Sequence, residues 1–300
     1  MSINPRPEDF SAYWQAVDDE LAGIDPAVEL EHSPLRSNEY STMYFARLTS
    51  IGPYRIFAYL SIPHGDGPFP ALLQTPRYGS VNNPPHFDDR QRYVVMTLMH
   101  RGQRLADKPY AAAYPGLLTE GIEDPATFIY RGIVADCLRG AEYLLSRPEV
   151  QGQPAAVVGD DLAVLTAARR SRFTAVHYNL FTFYRMMEAA PRTAAYPLEE
   201  INEYIAFHPD VVDRVARTVA YVDPLHHASE VRGKVLVNVG DPGSLSGLEF
   251  LEPLMQAFGG NAEPYVVSHE GGTDHDAADA WIASQLGSVP KPRLWLEAMG

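Results

Sequence analysis

Apolar residues fall at Phe10, Trp14, Val17 and Leu21 within PEDFSAYWQAVDDELAGI, the spacing of one helix face, and Pro7 and Glu8 stand where a first helical turn places them. From Thr42 to Ile62 the pattern alternates instead and breaks at Ile51-Gly52-Pro53, which predicts paired antiparallel strands. Ala71 to Gln74 and Tyr93 to Leu98 are short apolar runs bounded by turn residues and read as buried strands. The helical period returns from Asp124 to Arg147 through Phe128, Ile133, Val134, Leu138, Ala141 and Leu145. A strand follows at Ala155 to Val158, and Asp161 opens the next helix. A strand ending at His177 and Tyr178, further strands at Lys234 to Val239 and Pro264 to Val267, and a last helix at Asp274 to Leu286 continue the alternation. This order predicts an α/β fold: a mostly parallel central sheet flanked by helices, preceded by an N-terminal helix and antiparallel strands. Residues 1–300 read as one domain. A helical insertion from Phe181 to Val219 either lids a pocket or packs on the sheet.

Composition narrows the function. A formal net charge of −14 and the absence of a Lys/Arg cluster exclude nucleic acid and anionic membrane as expected partners, leaving a small-molecule substrate. The single cysteine, Cys137, lies in an apolar helical pattern and reads as a packed thiol rather than a nucleophile. No apolar run approaches the ~18 residues that span a bilayer and MSINPRPEDF has no apolar leader core, so a cytoplasmic protein is expected. His226-His227 and Asp274-His275-Asp276 contain ligand-type residues without a metal-binding spacing, so neither metal nor cofactor is expected.

The chemistry centres on VVGDDLAVL, Val157 to Leu165. A nucleophile elbow is written G-x-S-x-G because the strand-to-helix turn is tight, its flanks must be small, and the central side chain is held above the sheet. Gly159 and Ala163 keep small flanks here, while Asp161 takes the centre. Sequence adjacency of Asp160 and Asp161 is not expected to couple them, since side chains at an elbow diverge.

PEDFSAYW, RGQ at Arg101 to Gln103, GIEDPATFIYRGIVADCLRGAEYL at Gly121 to Leu144, and SHEGG at Ser268 to Gly272 occur in order along nearly the whole chain. Together they resemble the acetyl xylan esterase and cephalosporin C deacetylase family, carbohydrate esterase family seven, of the α/β-hydrolase fold. The resemblance implies that the family serine falls on Asp161, its following glutamine on Leu162, and its histidine on His269. It also implies that Tyr78, by side chain or backbone, and the Leu162 amide form the oxyanion hole. The family aspartate lands on Gly243. Asp241, two residues earlier, either orients His269 after a loop shift or the third member is absent. Arg101 falls near the family's active-site wall, as substrate contact or structural salt bridge, and the resemblance implies a homo-oligomer.

A carboxylate is a poor acyl nucleophile, because in the tetrahedral adduct it leaves before an alkoxide does. Double displacement at Asp161 is therefore not expected. Acid–base chemistry is favoured: Asp161 removes a proton from a small acylated or carbonyl-bearing metabolite, most concretely eliminating acetate, with Tyr78 and Leu162 at the developing charge. The alternatives are ester hydrolysis by direct water activation, attack of Asp161 on alkyl carbon, and a catalytically inactive scaffold or binding protein. Phe181 and Tyr184, with Met186 and Met187, are expected to line the substrate pocket or the packing around it.

Overall fold

The computed structural model describes residues 4–292. Helix α1 (Phe10–Ala22) is followed by strands β1 (Glu29–His32), β2 (Ser41–Ser50), β3 (Tyr54–Pro63) and β4 (Ala71–Gln74), the short helix α2 (Phe87–Arg90) and β5 (Val94–Met99). Then come α3 (Ile129–Ser146), β6 (Ala155–Gly159), α4 (Asp161–Arg169) and β7 (Phe173–Tyr178). Helices α5 (Met186–Ala189), α6 (Glu199–Phe207) and α7 (Val212–Val219) form the insertion, and β8 (Lys234–Val239), α8 (Leu248–Ala257), β9 (Ala262–Val266) and α9 (Gly271–Leu286) complete the chain.

The strands form one sheet in the order β1-β2-β3-β5-β4-β6-β7-β8-β9. Pairing is antiparallel from β1 through β3 to β5 and parallel from β5 onward. Both faces are covered, as a parallel sheet requires because crossover helices must return over it. The larger core joins α1, α3 and α4 to the sheet, and a smaller one packs Ile282 and Leu286 of α9 on Leu72, Val95, Ala156 and Ala175. Trp14 anchors α1: it is fully buried and its indole N–H donates to the Tyr221 carbonyl at 3.0 Å.

Two close approaches fix the centre. A Cβ on Gly132 of α3 would lie 2.3 Å from the Arg101 guanidinium, so only glycine lets that side chain cross the helix. A Cβ on Gly159 would lie 2.0 Å from the Thr75 hydroxyl, so the end of β6 can run against the β4 loop only without a side chain.

Candidate active site

At the β6–α4 turn, Asp160 is extended (φ −83°, ψ −155°) and Asp161 is the first helical residue. The strained backbone expected of a nucleophile elbow is absent: among the described non-glycine residues, positive φ occurs only at Ala27, Leu105, Arg185 and His269. Asp161 is 1% exposed. Its Oδ2 accepts from the amides of Thr182 and Phe183, both at 2.7 Å, and its Oδ1 accepts from the Tyr178 hydroxyl. The expectation of an open, substrate-facing carboxylate does not match this placement, because the group is buried and three protein donors hold its two oxygens. The loop after β7 folds over the turn and seals it. Asp223 continues the same clamp, accepting from the Arg185 amide at 3.1 Å and the Leu225 amide at 2.9 Å.

Asp160 caps α4, its Oδ1 accepting from the Leu162 amide at 2.9 Å. That amide is the one assigned to the oxyanion hole, and a carboxylate already holds it. The two neighbouring acids do interact, contrary to the expectation of divergence. Burial, and then Asp161, push Asp160 up to about 8. Burial also raises Asp161, but only to about 6, because the Tyr178 hydroxyl and the two amides favour its ionised form. Burial and their mutual repulsion thus oppose ionisation of both acids together, and the donors around Asp161 favour the charge there. Tyr178 is pushed far above the ordinary range by burial and by Asp161, and it stays a donor.

The Tyr78 side chain is anchored within the protein: its hydroxyl donates to Glu200 Oε1 at 2.6 Å and accepts from the Leu118 amide at 3.3 Å. Glu200 belongs to α6, so the insertion itself holds the expected oxyanion tyrosine. Arg101 is structural. It grips buried Asp136 through Nε at 3.0 Å and a terminal nitrogen at 2.7 Å, and its own amide donates to the same carboxylate at 2.9 Å. Tyr184 is buried with its hydroxyl donating to the Phe250 carbonyl at 2.9 Å, and the Phe181 ring packs edge-on against Tyr178 at 4.5 Å. Neither lines a described cavity, whereas Met186 and Met187 line an apolar one of about 380 Å³ within the insertion.

His269 and Asp241 are brought together, Nε2 to Oδ1 at 3.2 Å, on the loops after β9 and β8. Their side chains are 63% and 76% exposed, and His269 has φ 63°, a left-handed conformation unusual for a side-chain-bearing residue. Among the described residues Asp161 and His269 share no hydrogen bond or ion pair. The imidazole is also turned round relative to a triad, presenting Nε2 to the carboxylate, with no hydrogen bond to Nδ1 among the described residues. Sequence reasoning missed the donors that lock Asp161 and the part played by Glu200; only Tyr178, at the predicted end of β7, was in view.

Sheet order, crossover helices and the histidine loop after the last strand define an α/β-hydrolase fold. The acetyl xylan esterase (AXE1) family model matches residues 1–244, and the chain belongs to that family. The match spans the elbow and ends before His269. Acetyl esterase Axe7A of Xylanibacter ruminicola is 24% identical over 252 residues, 78% of this chain and 56% of that protein, so the chain spans about half the length of this curated relative. The acetyl xylan esterase of Paenibacillus sp. R4 superposes with a TM-score of 0.80 at 19% identity, covering 95% of this chain and 96% of its own. Acetyl xylan esterase 1 of a Thermoanaerobacterium species superposes at 0.72 with 23% identity, over 88% and 87%. Among the described residues no helix is long and apolar enough to cross a membrane, and no group of His, Cys, Asp and Glu is placed to hold a metal ion.

Proposed function

We propose that the chain hydrolyses small acyl esters by direct attack of water, with His269 as general base and no acyl-enzyme. The observation that carries this reading is the division of the expected triad: His269 and Asp241 are paired and open, while Asp161 is enclosed by three protein donors. Water loses a proton to Nδ1 as its oxygen bonds to the acyl carbon. The adduct then expels the alkoxide, which takes the proton back. Asp241 orients the ring and stabilises its charged form. Family membership supports the ester as substrate class. Elimination requires Asp161 to reach a substrate proton, and its burial beneath three protein donors speaks against that reading.

A second reading, a non-catalytic ester-binding protein, is favoured by two of the expected donors being engaged: the Leu162 amide is held by Asp160 and the Tyr78 hydroxyl, though not the Tyr78 amide, by Glu200. Hydrolysis of 4-nitrophenyl acetate separates the two. The water-attack reading expects a rate above buffer that falls by about 10²-fold in His269→Ala, with no acetylated protein in quenched samples. Equal rates for the two proteins would leave the binding reading, and an acetyl adduct would overturn both.

A further inference from the structure

Two adjoining cavities of about 370 and 290 Å³ open beside the elbow, between the ends of β4, β6 and β7 and helix α9, sharing Gln74, Arg77, His86, Val158 and His275 as walls. The second also reaches His177 and Asn179. In open α/β sheets the crevice at the carboxyl ends of the strands is where ligands sit, and these volumes suit a small metabolite.

The wall is arranged to donate. Gln74 Oε1 already accepts from the Thr97 hydroxyl at 2.7 Å, so its amide N–H groups are what it can offer a ligand. The Arg77 guanidinium donates to no group among the described residues, in a chain of formal charge −14 where most arginines are ion-paired. Arg77 lines both cavities and is near enough for its charge to act on Asp160 and His177. Asp89 and Asp279, the acids on this wall, are tied to Arg92 at 3.0 and 2.5 Å, and Lys291 to Asp276 at 3.1 Å. Buried His177 adds one acceptor. Its Nε2 faces Asn238 Oδ1 at 3.0 Å and so carries the proton, leaving the Nδ1 lone pair; desolvation keeps the ring neutral.

We propose that this cavity pair binds a small hydroxy-carboxylate, its carboxylate paired with Arg77 and supported by Gln74 and His275, its hydroxyl donating to His177. Asp89 and Asp279 share the single cation Arg92, so the feature that marks this wall is the Arg77 guanidinium without a hydrogen-bond partner among the described residues, whose planar fork matches a carboxylate. The proposal does not rest on the water-attack reading, since His269 and Asp241 are not in these walls.

The test is calorimetric titration of the intact chain with lactate, acetate and inorganic phosphate, which reads binding and not turnover. Lactate should bind, acetate more weakly, and Arg77→Gln should weaken lactate about tenfold or more. Arg77 is exposed and its guanidinium has no hydrogen-bond partner among the described residues, so that variant keeps the fold, as an unchanged melting curve would verify. Lactate affinity unaltered in Arg77→Gln, no lactate heat at all, or phosphate binding more tightly than lactate would each overturn the proposal.

Discussion

The elbow and the histidine loop, expected as two halves of one catalytic constellation, differ in their physical chemistry. At the elbow the reactive position holds a charge, is buried, and is saturated with hydrogen bonds. At the histidine loop the imidazole–carboxylate pair is exposed and strained in backbone but free to meet water. The difference teaches that an Asp at a strand-to-helix turn need not be a reagent. A buried carboxylate is costly unless donors surround it, and the chain supplies them from β7 and the loop beyond, turning the elbow into a latch for residues 178–185.

The largest effect should follow from removing the latch. Asp161→Ala leaves two buried amides and a hydroxyl without their acceptor and should lower unfolding free energy by roughly 3 kcal/mol or more in denaturant titration, at pH 7. Stability within about 0.5 kcal/mol of the parent would contradict it. At the other region the same scale of change should appear in rate instead: His269→Ala should lose ester turnover and leave the denaturation midpoint in place, because its side chain is exposed.

Placing a serine at the turn sharpens the contrast. Asp161→Ser alone should not react with a serine-directed phosphonate, since Asp160 still holds the Leu162 amide. Asp160→Gly with Asp161→Ser frees that amide and should give measurable labelling by intact mass. Labelling of the single variant at the same rate would show that the cap does not block the site.

The smallest effect is in pH. Asp160, Asp161 and Asp223 have folded values raised to about 8, 6 and 7, mainly by burial, above the ~4 of an unfolded carboxyl. Between those limits the folded chain holds protons that the unfolded chain has released, so their stabilising contribution is complete below about pH 4 and is lost as pH rises through 6 to 8. Asp160→Asn keeps an acceptor for the Leu162 amide and removes the titration. It should reduce the loss of stability between pH 6 and 8 by roughly 1–2 kcal/mol. Parallel pH curves would exclude a proton held on Asp160.

Most of the scaffold was legible because hydrophobic period follows element type. Strands β4 and β8 begin and end where their apolar runs do, and α3 follows its stripe, starting at Ile129 rather than Asp124 because residues 124–127 form turns. Strand β1 was not legible, since all four of its residues are exposed and it has no alternation, and α8 carries Pro253 within it. The site was half legible. The turn, the histidine and Asp241 follow local pattern, whereas the closure of Asp161 depends on amides 21 and 22 residues further on, and that of Tyr78 on a glutamate 122 residues away. Such contacts leave no local trace.

Asp161→Asn, followed by amide hydrogen exchange at Thr182 and Phe183 alongside ester turnover, tests the latch most directly. The account predicts exchange at both amides accelerated by about tenfold or more with turnover within a few-fold of the parent. Unchanged protection together with abolished turnover would make Asp161 a catalytic group and contradict it.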